Sequence, residues 1–184
     1  GVSWQACVVP NPGAAAWWGM AYSPSLGYAI ATSSNGVVVR TTDATNWTLM
    51  PGEDLTNGNW RRMVRNADDS LFVVVGLGGV AGQRVSTSPD GITWTLRNTP
   101  NGPQSTSWTD MFMNPVTGRI WCLTSAAFLQ PFIFSDDGGI TWAYGNALGG
   151  NDGGTKGFGA DQGLANGFLR FTGGATIDLF DYFS

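Results

Sequence analysis

The feature that most restricts this chain is an internal repeat of about 47 residues, marked by its tryptophans. A short motif occurs as "TTDATNW" at 41–47, "SPDGITW" at 88–94 and "SDDGGITW" at 135–142. Between the motifs runs a second ruler. Trp17, Trp60 and Trp108 each stand ten residues before a small turn residue, Gly27, Ser70 and Gly118, and Gly157 to Gly167 keeps that interval. Met20, Met63 and Met111 share a phase three residues after those tryptophans. Units of one period share one supersecondary structure, and so short a unit buries its apolar face only by stacking on its neighbours.

After each small residue comes an apolar run suited to a buried strand: "YAIAT", "LFVVVG", "RIWCLT" and "FLRFT". Each repeat offers three more short strands, one starting near the leading Trp, one running into the motif and one leaving it, as in "WTLM", "WTLR" and "WAYG". No helical periodicity competes with this pattern. The expected fold is all-β: a single domain, residues 1–184, forming a four-bladed β-propeller of four-stranded antiparallel blades. The blades are expected at about 17–51, 59–98, 107–146, and 157–184 together with 1–9. The last pairing rests on the two ends of the sequence. "GVSW" aligns with the "GITW" halves of the motifs, and Ser184 follows Gly167 by the 17 residues that separate Ser135 from Gly118. The strand at 2–9 is therefore expected as the outer strand of the last blade, closing the ring. Two chains combining into a larger ring is the alternative.

Composition limits the function classes. The formal charge is −4, only 12% of residues are charged, and there are 27 Gly, nine Trp and no His. Nine scattered basic residues argue against a nucleic-acid partner, which needs clustered Lys and Arg. No apolar run approaches the ~18 residues that span a bilayer, so membrane insertion is not expected. Without His, a Ser-His-Asp triad and His-ligated metal sites are excluded. Cys7 and Cys122 lie too far apart in sequence for metal-ligand spacing and read as small buried apolar residues, with a disulfide as the alternative. "GLGGVAG" at 76–82 joins two strands rather than a strand and a helix, so it is a loop and not a phosphate cradle. "NADDS" and "NALGGNDGG" lack the spacing of a calcium loop and read as solvated turns. No cofactor and no metal are expected.

The Ser/Thr-x-Asp-(x)-Gly-x-Thr-Trp pattern resembles the Asp-box, or BNR repeat, of sialidase-like propellers. Its residues here are Asp43 and Trp47; Ser88, Asp90, Gly91, Thr93 and Trp94; and Ser135, Asp137, Gly139, Thr141 and Trp142. The first copy lacks the Gly and the second Thr. The resemblance implies a structural hairpin at the blade's outer edge, with the Asp accepting backbone amides and the Trp folded over the turn. Sialidases of similar architecture use a Tyr nucleophile with a Glu and an Asp acid/base. This chain has a single Glu, Glu53, in the linker "PGEDLTNGN", so no enzyme activity is expected.

Binding is what remains. Propellers bind at the loops leading into their inner strands, and here those loops are long and rich in Asn, Asp, Ser and aromatics, a composition suited to sugars. The candidates are Trp18, Asn59, Arg61, Asp110 and Lys156. Trp18 stands out because it breaks the phase kept by Trp17, Trp60 and Trp108, which read as packing between blades. The repeat text also resembles repeats in tail-fibre and other virion proteins of tailed bacteriophages. That resemblance implies an extracellular or virion location and a structural or adhesion module, of a phage tail-fibre type that binds a host glycan. Its partners would be other structural subunits or copies of itself. A free carbohydrate-binding lectin is the alternative, and a sialidase-like glycosidase a weaker one.

Overall fold

Runs rich in Val, Ile, Phe and Trp, punctuated by Gly, Asn and Asp, fit a pleated buried surface and break at turns, and the chain folds accordingly. The structure, a computed structural model, describes residues 6–10, 16–51, 55, 58–78, 82–100, 108–124, 132–144, 156–159, 168–173 and 176–180. Among them there are strands and no helix. The first sheet holds β1 (Trp17–Ser23), β2 (Tyr28–Ser33), β3 (Val38–Thr41) and β4 (Thr48–Leu49). The second holds β5 (Trp60–Arg65), β6 (Phe72–Gly76), β7 (Val85–Ser88) and β8 (Thr95–Arg97). The third holds β9 (Trp108–Met113), β10 (Ile120–Thr124), β11 (Phe132–Ser135) and β12 (Ala143–Tyr144). The fourth shows β13 (Lys156–Gly159), β14 (Phe168–Gly173) and β15 (Thr176–Phe180). In every sheet the strands follow chain order, each antiparallel to the next.

The sheets stack through their first strands, β1 on β5, β5 on β9 and β9 beside β13. Alternation along the second strand then buries both faces of a sheet. Phe72 and Val74 of β6 face the first sheet in a core with Ile30, Val38, Met50, Leu55, Trp60, Met63 and Trp94. Val73 and Val75 face the third sheet in a core with Val85, Trp108, Met111, Ile120, Cys122, Ile133 and Trp142. The two cores take residues from the same repeat positions, which is why the phased Trp and Met residues recur in both. Beyond the third sheet the alternate residues Trp121 and Leu123 are buried with Phe112 and Phe134 against them.

The first sheet breaks this regularity. Met20 and Tyr22 stand exposed, although their neighbours in the pleat, Ala21 and Ser23, face inward. Of the segment expected to close the last blade, residues 1–5 lie outside the described residues, and Val8 makes an isolated parallel bridge with Asn46 of the first sheet. The cysteines are both free. Cys122 is buried, but Cys7 is exposed, which corrects its reading as a buried apolar residue: it sits beyond the inter-sheet cores. Burial, with Asp110 nearby, pushes the Cys122 thiol well up.

Candidate functional site

The recurrent motif builds the same turn three times. Asp90 Oδ1 accepts the amides of Ile92 and Thr93 at 2.9 and 3.1 Å, and the Ser88 hydroxyl donates to it at 3.1 Å. Asp137 accepts from Ile140, Thr141 and Ser135 at 3.1, 2.8 and 2.8 Å, and Asp43 from Thr45 and Asn46 at 2.8 and 2.7 Å. Trp94 and Trp142 donate their indole N–H to Gly91 and Gly139 carbonyls at 3.1 and 3.0 Å. Thr93 and Thr141 contribute their amides, and the Thr141 hydroxyl also reaches Asp137 at 2.6 Å. In the first motif Ala44 takes the glycine's place at φ 60°, and the buried Trp47 Nε1 has no partner. Each of these aspartates turns its Oδ1 onto its own turn. Desolvation raises the Asp90 and Asp137 carboxyls, yet the hydrogen bonds outweigh it and hold both below the ordinary value.

The turns lie at one end of the sheets; the candidate binding residues lie at the other, near the starts of the first strands. There each four-stranded sheet carries an irregularity at the same repeat position. The register shifts between Trp17 and Gly19, between Trp60 and Arg62, and between the partners of Asp110 and Trp108. The extra residues are Trp18, Arg61 and Thr109. A bulge bends its strand and re-aims one side chain, and this explains why Trp18 breaks the tryptophan phase: it is an inserted residue.

Bulge residues of neighbouring sheets meet. The Arg61 guanidinium carbon lies 4.2 Å from the centre of the Trp18 ring, and Trp18 remains 44% exposed. Gly19 permits this approach. A Cβ there would come within 3.2 Å of both the Arg62 backbone and the Met63 side chain. One step further along, Arg62 Nε donates to Asp110 Oδ1 at 3.1 Å, bridging β5 and β9. Asp110 also accepts its neighbour Met111's amide at 2.9 Å.

The structure thus joins Trp18 to Arg61, and Asp110 to Arg62 rather than to Arg61. Arg62 was missing from the sequence candidates. The signal for it was present: Arg62 and Asp110 each follow a phased Trp by two, so opposite charges occupy one repeat position on adjacent sheets. Asn59 stands just before β5 with a φ of 45°, and its carbonyl accepts the Leu77 amide at 3.1 Å. Lys156 is the first residue of β13, paired with Phe171 in β14. Most residues of the loops leading into the first strands lie outside the described residues.

At the opposite end a groove of about 380 Å³ runs between the second and third sheets, lined among others by Asp68, Asp136 and Asp137. Its carboxylates are engaged: Asp68 with Ser70, Asp136 with Arg119, and Asp137 with its turn. Within "NADDS", Asp69 accepts from Arg65 and from the Ser25 amide, tying the first two sheets together.

No protein-family model matches the chain, and no curated protein matches it. Its similarity is to solved structures. One is that of a nidogen/laminin complex, with a TM-score of 0.59 and 12% identity over 91% of this chain and 61% of that one. Another is YCF48 bound to D1 peptide, with a TM-score of 0.57 and 12% identity over 90% and 48%. A third is an auxiliary nutrient binding protein from Bacteroides thetaiotaomicron, at 0.60 and 7% over 85% and 35%. A 6-phosphogluconolactonase-like protein from Bacteroides uniformis scores 0.57 at 13% identity. The chain spans about a third to three fifths of the length of the first three. The nidogen, YCF48 and lactonase-like structures are propeller proteins of mixed activity, and at such identities they define the fold alone: this chain is a β-propeller. Among the described residues no helix is long and apolar enough to cross a membrane.

Proposed function

We propose that the chain is a non-enzymatic adhesion or structural module of a virion or cell surface that binds a receptor glycan at the end of the sheets where the bulges cluster. The observation that carries this reading is the half-exposed indole of Trp18, aimed out of the pleat by a bulge and stacked with Arg61, with the Arg62–Asp110 pair following on the next first strands. An aromatic face beside fixed charged and planar polar groups matches a pyranose, which stacks by its C–H face and bonds by its hydroxyls. Asn59 and Lys156 begin or precede first strands at this same end and belong to the proposed surface. Four repeats would form four blades, with residues 1–9 supplying the outer strand of the fourth and its free face drawn onto Met20 and Tyr22.

The virion setting draws support from the resemblance of the repeat text to tail-fibre repeats, with other structural subunits or further copies as partners. A free lectin is the alternative, and native purification separates the two: a lectin is recovered alone, a virion module with its particle. A protein ligand is a second reading, favoured by the propeller neighbours solved with nidogen–laminin and D1-peptide partners. The experiment is a glycan array with the wild-type chain and Trp18→Ala. Binding that is lost in the variant supports the assignment; binding that is unchanged removes Trp18 from the site. Hydrolysis of a sialoside that disappears with Glu53→Gln would restore the glycosidase reading.

A further inference from the structure

We infer that Arg61, held on the face of Trp18, is the seat of an anionic group on the ligand, a carboxylate or a sulfate; this rests on the binding surface proposed above. A guanidinium has two kinds of surface. Its face stacks on aromatic rings, and its edge carries five N–H donors in one plane. Arg61 spends its face on Trp18, at 4.2 Å. Its edge makes no hydrogen bond or ion pair with any described residue, and its Nε is buried without a partner. Four other arginines differ, and Arg40, which also lies over a ring, is exposed to water. Arg62 donates to Asp110, Arg65 to Asp69, Arg97 to Thr87, and Arg119 to Asp136.

A buried charged donor left unfilled is unfavourable, and here stacking and a bulge hold the donor in place rather than letting it swing out to water. The surroundings select the sign and shape of what fills it. The four first strands carry Arg61, Arg62 and Lys156 near their starting ends and one acidic residue in all, Asp110, already bound to Arg62. With Arg62 neutralised by Asp110, Arg61 is a cation left without a hydrogen-bonding partner along the described first strands. A neutral hydroxyl accepts at a single oxygen. A carboxylate or sulfate presents two oxygens in the plane of the guanidinium edge and neutralises it, while the open part of the Trp18 indole stays available to the rest of the ligand.

The test is a titration of the intact chain with sodium sulfate and sodium acetate against sodium chloride at constant ionic strength. It follows the indole N–H resonance of Trp18, assigned by its loss in Trp18→Phe. The expected result is a saturable shift with sulfate or acetate and none with chloride, weakened about tenfold or more by Arg61→Gln and unchanged by the remote Arg97→Gln. Arg61→Lys keeps the charge without the planar fork; it should weaken the shift while preserving the fold, and it serves if Arg61→Gln does not fold. A shift that persists in both Arg61 variants, or no saturable shift with either anion, overturns the seat. The array separates this inference from the glycan reading. Binding confined to neutral glycans overturns the anion seat alone, whereas a saturable anion shift with a blank array supports the seat and removes the glycan.

Discussion

Met20 of β1 and Met63 of β5 occupy the same place in their repeats, three residues after a phased Trp, yet Met63 is 6% exposed and Met20 is 64% exposed. Met111, the third member of the series, is 7% exposed. The difference lies in what precedes each sheet. Met63 and Met111 are covered by the sheet before them in the chain, whereas the described residues leave Met20 open. Ring closure, as proposed, would bring the fourth sheet onto this face. In solution Met20 should then be oxidised by peroxide no faster than Met63 and Met111, measured by peptide mass spectrometry. Oxidation of Met20 well ahead of both means that the face stays open and the four-bladed ring does not close.

Two tryptophans on neighbouring first strands should separate structure from binding. Trp60 is 1% exposed in the core between the first two sheets and donates to the Leu55 carbonyl at 2.5 Å. Its replacement by Ala should destabilise the fold by about 3–5 kcal/mol. Trp18→Ala should lower stability by about 1 kcal/mol or less, since its ring is partly in water already. Urea unfolding of both variants checks the contrast, and equal losses would show that Trp18 is a core residue.

The first turn motif carries a correctable strain. Ala44 has a φ of 60° where Gly91 and Gly139 have 73° and 100°. An L-residue in this region meets its own carbonyl, at a cost of about 1–2 kcal/mol, partly offset because Gly loses more entropy on folding. Ala44→Gly should therefore stabilise the protein by about 0.5–1 kcal/mol in equilibrium unfolding. A loss of stability would mean that the turn tolerates Ala without strain.

Acid should unfold the protein through its turn carboxylates. Hydrogen bonds from the Asn46 side chain and from the Asn46 and Thr45 amides hold the Asp43 carboxyl well below the usual carboxylate range. In Asp69 the bonds from Ser25 and Arg65 outweigh desolvation to the same effect, and Asp90 and Asp137 are also lowered. A folded pKa below the unfolded one means that the unfolded chain takes up protons first. The stabilisation is complete above the unfolded value of about 4 and is lost as pH falls through it toward the folded values. With no His in the chain, no side chain of ordinary pKa titrates between about 5 and 8. The melting temperature should be flat across that range and fall below about pH 4. Asp90→Asn keeps an acceptor oxygen but cannot titrate, so it should reduce the acid loss; Asp90→Ala should cost about 1 kcal/mol at neutral pH by exchanging the bonds to two exposed amides for water. An acid limb unchanged in Asp90→Asn would exclude this carboxylate from the transition.

The sequence by itself determined the repeat, the strand class and the turn chemistry, because each is local. A continuous apolar run of five residues makes a strand with two buried faces, as Phe72 to Gly76 does, and an Asp accepts the amides of residues two to four places on in its own turn. Phase likewise marked Trp60 and Trp108 as packing residues. The binding surface was legible only in its members. Trp18, Arg61 and Asp110 could be named one by one, but Asp110 and its partner Arg62 are 48 residues apart, and only their shared place two residues after a phased Trp links them in the sequence. The tertiary structure decided the pairing by placing first strands side by side and by bulging each at one position, which turned an out-of-phase Trp toward an Arg on the next sheet. It also decided which of three equivalent methionines is bare, because burial belongs to the stacking of sheets, and the sequence of a repeat is the same whether or not a neighbour covers it.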